Sequence, residues 1–144
     1  MASQTFQLTV LSAERELFAG EVESVNLPTD SGEITVLARH NPLVTNLKAG
    51  ELTIRKEKNE QEWLFIGGGI LEFTPTNECR ILADVAERVE EIDLQAAEQA
   101  RQRAEEGLEK AQSEPEVLSA KAELFQTLAK IRVAEKNRKL RGRH

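Results

Sequence analysis

The chain is short of the side chains that most binding and catalytic chemistry uses. Aromatics make up 4% of its 144 residues, five Phe and one Trp with no Tyr, too few to line a large ligand pocket or a base-stacking platform. It has one cysteine, Cys79, and two histidines, His40 and His144. A single thiol excludes an internal disulfide and fits a reducing compartment. Neither histidine has Cys or carboxylate neighbours at ligand spacing, so no metal site is expected, and no second histidine pairs with His40 near a nucleophile. Long apolar runs are missing as well. The longest, residues 63–71, is about half of the ~20 residues a membrane-crossing helix needs. The start, Met-Ala-Ser-Gln-Thr-Phe, lacks the basic region and apolar core of a secretory signal and reads as a mature N-terminus. A surplus of positive charge is also absent. The formal net charge of −6 argues against general affinity for nucleic acid or anionic lipid.

The charge that is present is unevenly placed. Residues 1–91 carry 8 basic and 16 acidic side chains, whereas residues 92–144 carry 11 basic and 9 acidic. Within the second part, residues 130–143 hold seven basic residues, Lys130, Arg132, Lys136, Arg138, Lys139, Arg141 and Arg143, against one acid, Glu135. So strong a local bias points to an acidic partner rather than to simple solvation of a terminal helix.

The first part has the two-residue period of β-strands. Phe6, Leu8 and Val10 alternate with polar neighbours. Val25 and Leu27 are expected to end at Pro28, with a turn at Thr29-Asp30-Ser31-Gly32 before Ile34 and Val36 resume the pattern. Leu52 and Ile54 follow, then a polar stretch at residues 56–62 that reads as an exposed hairpin. Thr74-Pro75-Thr76-Asn77 forms a tight turn between two further strands. Many short strands with no helical pattern between them predict a small antiparallel β-sandwich or barrel over residues 1–86.

After Asp84 the period becomes helical. Asp93 follows Ile92 as an N-cap behind a hydrophobic staple, and Ala97, Ala100, Ala104, Leu108 and Ala111 recur every three or four residues. Ser113-Glu114-Pro115-Glu116 ends that helix and caps a second one, on which Val117, Ala120, Leu124, Leu128 and Ile131 form a stripe widened by Leu118, Phe125 and Ala129. The expectation over residues 92–144 is therefore an antiparallel helical hairpin, making the whole chain α+β. Alanines bury little area, at about 25 cal/mol per Å², and Gly107 in mid-helix costs about 1 kcal/mol more. The hairpin should be held loosely enough to open and dock elsewhere.

Other motifs favour structural readings. Gly67-Gly68-Gly69 lacks the Gly-Lys-Ser/Thr of a phosphate loop and reads as a bulge or a close approach of strands. Cys79 reads as a small buried hydrophobe. Glu87, Glu90, Glu91 and Asp93 coincide with a linker and a helix start, where the dipole alone favours acids.

Three segments together resemble the ε subunit family of F-type ATP synthase. Gly32-Glu33-Ile34-Thr35-Val36-Leu37-Ala38-Arg39-His40-Asn41-Pro42-Leu43 is similar to the family's Gly-Glu strand leading to a His-x-Pro loop. Gly68-Gly69-Ile70-Leu71-Glu72-Phe73 is similar to its Gly-Gly-x-Leu-Glu-Val strand, and Ile81-Leu82-Ala83-Asp84 with Ala86-Glu87-Arg88 to the end of its β domain. The likeness runs over essentially the whole chain and implies a non-catalytic rotor subunit of the central stalk, with no cofactor. Its partners would be the γ subunit, the c-ring and the α and β subunits. It would reach the cytoplasmic face of a bacterial plasma membrane through the complex only. On the residues, the resemblance implies that Ser31, Gly32 and Glu33 face the c-ring, that Ser12, His40 and Pro42 pack near γ, and that the basic helix end brakes ATP hydrolysis. Some family members bind ATP through an Ile/Leu-Asp-x-x-Arg-Ala motif and arginines on the second helix. Here Ile92, Asp93 and Arg132 match, but Ala96 and Leu128 stand where arginines are expected, and losing two cations that would face phosphates predicts weak or absent ATP binding. The rival reading is a free-standing interaction module that grips a partner with its helices.

Overall fold

The computed structural model describes residues 4–140, and these fall into two compact units, one ending at Arg88 and the other beginning at Val89. The first consists of eight strands: β1 (Phe6–Ser12), β2 (Glu16–Val22), β3 (Ser24–Thr29), β4 (Gly32–Leu37), β5 (Leu43–Arg55), β6 (Gln61–Phe73), β7 (Glu78–Ala83) and β8 (Ala86–Arg88). They join in the order β2-β1-β7-β6-β5-β3-β4, with β8 also on β6. All pairings are antiparallel except β1 with β7.

The long β5–β6 hairpin makes this ladder a sandwich. The C-terminal half of β6, from Gly69 to Phe73, pairs with β7, whereas Leu64, Phe65 and Ile66 pair with β8. Between the halves lies the glycine run, with Gly68 at φ +108° and Gly69 at φ +147°. A side chain on Gly69 would overlap the Leu82 carbonyl oxygen and lie 2.9 Å from Ala83 Cα. Gly67 N–H donates to Val85 O at 2.8 Å and Gly68 O accepts from Asp84 N–H at 2.9 Å. The run thus works through its backbone, letting β6 pass from one layer to the other.

Inward residues of both layers form one core, including Phe6, Leu8, Val10, Val25, Leu27, Leu52, Ile54, Leu64, Ile66, Leu71, Phe73 and Ile81. These are the alternating positions of the sequence pattern. Cys79 belongs to the same core, and burial pushes its thiol up to about 12, so it behaves as an apolar side chain. One local expectation needs correction. Strand β3 does not stop at Pro28 but runs through it to Thr29. The β3–β5 register shifts between Asn26 and Thr29, so the imino nitrogen sits where the ladder is interrupted and no N–H is needed. The hairpin at residues 56–62 is closed by a short 3-10 turn, Glu57–Asn59, in which Lys58 and Asn59 adopt positive φ.

In the second unit, α1 (Leu94–Lys110) and α2 (Glu114–Leu140) are joined by residues 111–113. Asp93 caps α1, its Oδ1 accepting from Gln95 N–H at 3.0 Å and Ala96 N–H at 3.1 Å. Ser113 Oγ accepts from Glu116 N–H at 3.3 Å. The Glu116 carboxylate accepts from Gln112 N–H and Ser113 Oγ rather than from the Ser113 N–H of a regular capping box. Gly107 faces Ala120 across the connection, and Ala97, Ala104, Ala120 and Ala129 are buried, so the helices meet along small side chains. A 27-residue helix folded on a 17-residue one extends past its partner's first turn at 1.5 Å per residue. The end of α2 therefore runs past α1, with the 3-10 turn Val89–Glu91 packed against the helix.

Candidate docking interface

The β unit has an outward patch that alternation should have made polar. In the ladder, Leu11 lies opposite Leu82 and Leu82 opposite Ile70, so three large apolar side chains stand in a row across β1, β7 and β6. They are 39%, 58% and 48% exposed, while Val10, Ile81 and Leu71 beside them are buried. Two residues along each strand the row is polar: Thr9 and Glu72 both lie opposite Arg80. Together these side chains line a groove of about 390 Å³. Arg80 holds Glu78 at 3.1 Å and Glu72 at 3.6 Å. Exposed pairs of this kind add little stability, but they neutralise the guanidinium beside the apolar row. Val44 on β5, opposite Glu72 and 69% exposed, extends the patch. Single exposed leucines are ordinary, whereas a contiguous row with a polar rim marks an interaction surface.

Ser12 and the His40 loop bracket this patch instead of converging on it. Ser12 follows Leu11 at the end paired with Ala83, where its Oγ accepts from the Glu14 and Arg15 N–H groups and donates to Arg15 O, all at 3.3 Å. The hydroxyl thus shapes the β1–β2 turn. Residues 38–42 lie at the other end, beside Phe73, whose ring centroid is 5.8 Å from that of His40. His40 Nδ1 lies 2.7 Å from Asn41 O. A carbonyl can only accept, so Nδ1 carries the proton. Pro42 is exposed just before β5.

Ser31, Gly32 and Glu33 form a separate exposed tip between β3 and β4. Thr29 Oγ1 accepts from Ser31 N–H at 3.2 Å and donates to Gly32 O at 2.6 Å, and Gly32 takes φ +119°. That side chain and that glycine fix the turn.

On the second unit, Arg132, Lys136, Arg138 and Lys139 are exposed and Lys130 is half-buried. Arg141 and Arg143 lie outside the described residues, as does His144. The sequence places Leu118, Phe125 and Leu128 on the packing stripe, but these side chains are 67%, 55% and 41% exposed, and Leu140 stands out as well. Ala129, Ile131, Val133 and Ala134 are buried. Of the degenerate nucleotide motif, Asp93 is committed to its cap and Leu128 offers no charge to a phosphate.

None of the patch residues Leu11, Val44, Ile70 and Leu82 is found by looking for chemistry-bearing side chains. The available signal is the apolar doublet, Val10-Leu11, Ile70-Leu71 and Ile81-Leu82, which breaks alternation on three neighbouring strands. Neither His40, whose ring partners are Asn41 O and Phe73, nor the walled-in Cys79 offers a nucleophile–base pair. Among the described residues no helix is long and apolar enough to cross a membrane, and no His, Cys, Asp and Glu cluster could hold a metal ion.

Comparison with known proteins agrees with this architecture. Residues 5–89 match the family described as ATP synthase, Delta/Epsilon chain, beta-sandwich domain, and residues 90–135 match its long alpha-helix domain. An ATP synthase epsilon chain of Nitrosococcus oceani is 36% identical over 140 residues, 97% of this chain and 99% of the relative. One of Halorhodospira halophila is 40% identical over 136 residues, 94% and 96% of the two chains. Among solved structures, a chain of the Euglena gracilis mitochondrial ATP synthase superposes with a TM-score of 0.74 at 24% identity, covering 90% of this chain and 80% of that one. A chain of the Tetrahymena thermophila enzyme's central stalk and c-ring gives 0.64 at 16%, covering 94% and 98%; both show the shared fold. An acidic β-sandwich joined to two helices and aligned end to end with these relatives belongs to the ATP synthase delta/epsilon chain family, as a non-catalytic stalk subunit of that membrane-associated complex.

Proposed function

We propose that this chain couples the catalytic part of a bacterial ATP synthase to its c-ring, docking the γ subunit through the Leu11–Leu82–Ile70 row and its flanks at Ser12, His40 and Pro42. The observation that carries this reading is the contiguous apolar row on the outer face of an acidic β unit. Ser31, Gly32 and Glu33, a rigid tip on the β3–β4 turn, meet the polar loops of the c-ring. The complex stands at the cytoplasmic face of the plasma membrane. The second unit acts as a brake on ATP hydrolysis: its alanine seam lets the hairpin open, and the basic end of α2 then meets an acidic surface on the α and β subunits. ATP is not the signal, because Asp93 is already bonded and the positions of Ala96 and Leu128 lack cations.

The docking row is tested by Ile70→Asp and Leu82→Asp. Both side chains are about half exposed, so the β unit should keep its fold, with thermal midpoints within a few degrees of the parent. Placing a carboxylate in a desolvated apolar contact costs several kcal/mol, so binding to γ-containing catalytic complex stripped of this subunit should weaken at least 100-fold. Parent-like affinity in both variants would refute the assignment of this face.

A further inference from the structure

Residues 38–42 make one long-range hydrogen bond among the described residues, and it runs through a single side-chain amide. Arg39 N–H donates to Asn77 Oδ1 at 2.7 Å, and Asn77 Nδ2 donates to Thr5 O at 2.9 Å. A backbone N–H needs an oxygen and a carbonyl needs a donor, so the two partners leave no ambiguity about how the amide is turned. The main chain of Asn77 adds a third tie, its carbonyl accepting from Gln7 N–H at 3.3 Å. Three segments separated by 38 and 72 residues thus meet at one half-buried side chain.

The local backbone is set for this junction. Asn77 adopts φ +65° and Arg39 φ +63°, left-handed conformations that only small or short polar residues take readily. The Asn77 conformation is held by its own turn: Asn77 N–H donates to Thr74 O at 3.3 Å, and Thr74 Oγ1 accepts from the N–H groups of Thr76 and Glu78, each at 3.3 Å. Arg39 has no such local support. Its turn is closed by one bond, His40 N–H to Leu37 O at 3.2 Å. The β6–β7 turn is therefore the rigid member and the 38–42 loop the one being held.

We infer that Asn77 is a positioning residue for docking: its amide fixes Arg39, and through it the His40 and Pro42 contact, against the end of the Leu11–Leu82–Ile70 row. The inference rests on the reading of that row and loop as the γ-facing surface. The role requires the oxygen that accepts from Arg39 N–H, whereas the donor to Thr5 O only steadies the amide. Aspartate keeps the first and loses the second; glycine keeps the backbone conformation and loses both.

The test uses full-length chain and catalytic complex stripped of this subunit. Amide hydrogen exchange at Arg39 and binding affinity are measured for the parent, Asn77→Gly and Asn77→Asp, with the thermal midpoint as a control. Glycine should speed Arg39 exchange at least 10-fold and weaken binding about 10-fold at an unchanged midpoint, whereas aspartate should hold Arg39 exchange within a few-fold of the parent and restore most of the binding. Unchanged Arg39 exchange in the glycine variant would overturn the clamp. Faster exchange with parent-like binding would overturn the docking role of the loop, while loss of binding in Ile70→Asp under the same conditions would leave the docking face standing. If the glycine variant does not fold, the aspartate variant carries the test, and weak binding despite a protected Arg39 amide would overturn the inference.

Discussion

Replacing Gly107 by alanine should tighten the helical hairpin and weaken its inhibition of hydrolysis. Gly107 lies inside α1, without the positive φ that would require glycine. Its packing does not require one either: an added Cβ would meet only the Ala120 Cβ, at 4.0 Å, an ordinary van der Waals contact. Glycine at this site therefore carries its helix-propensity cost of about 1 kcal/mol without a steric reason. The new methyl would add a few tenths of a kcal/mol at most, since the position remains largely exposed. The gain acts on an opening in which α1 unwinds around Gly107, and about 1 kcal/mol shifts that equilibrium roughly fivefold. Exchange of α1 amides that open with the hairpin should slow by that factor. In the reconstituted complex, ATP hydrolysis should rise, because an extended hairpin is less populated. Unaltered or faster α1 exchange would refute the energetic reasoning, and slowed exchange with unchanged hydrolysis would refute the link between opening and braking.

Gly69→Ala should destabilise the β unit by about 3 kcal/mol or more, read as a drop in urea midpoint, because its Cβ would overlap the Leu82 carbonyl at a positive φ. Gly32→Ala, with open space around it, should cost clearly less. Cys79 gives a pH dependence: its thiol is raised from 9.0 to about 12 in the folded chain, so the unfolded state loses its proton first. The stabilisation is complete below about pH 9 and falls as pH rises towards 12, by about 1.4 kcal/mol per unit. Urea titrations at pH 8 and pH 10.5 should show that loss in the parent and not in Cys79→Ala, and equal slopes in the two would contradict it. Isothermal titration of the isolated chain with ATP should give no micromolar binding; such binding would mean that Ile92, Asp93 and Arg132 suffice without the missing cations.

The parts of the fold that were legible in the sequence are those that one local rule specifies. Phe6, Leu8 and Val10 alternate because one face of β1 is buried, and Asp93 caps because the first turn of α1 leaves N–H groups without helical partners. Strand β2 escapes that reading. Its Leu17 and Val22 are buried, but they are five residues apart and so fall on opposite sides of a strict two-residue alternation. The register shift between Val10 and Leu11 accompanies this break in pattern.

The second helix shows why the candidate site was less legible than the fold. Its apolar residues are spread over more than one side, so a 3.6-residue period fits a stripe through Val117, Ala120, Leu124, Leu128 and Ile131 and another through Leu118 and Phe125. Nothing local chooses between them. The alanine seam decides: Ala97, Ala104, Ala120 and Ala129 are buried, and Phe125 and Leu118 are left outward. The same logic applies to the β unit, where Leu11, Ile70 and Leu82 become a surface only once β1, β7 and β6 are placed side by side in register. An interface of this kind is written in doublets that break a pattern, and only the pairing of distant strands shows that three such breaks adjoin.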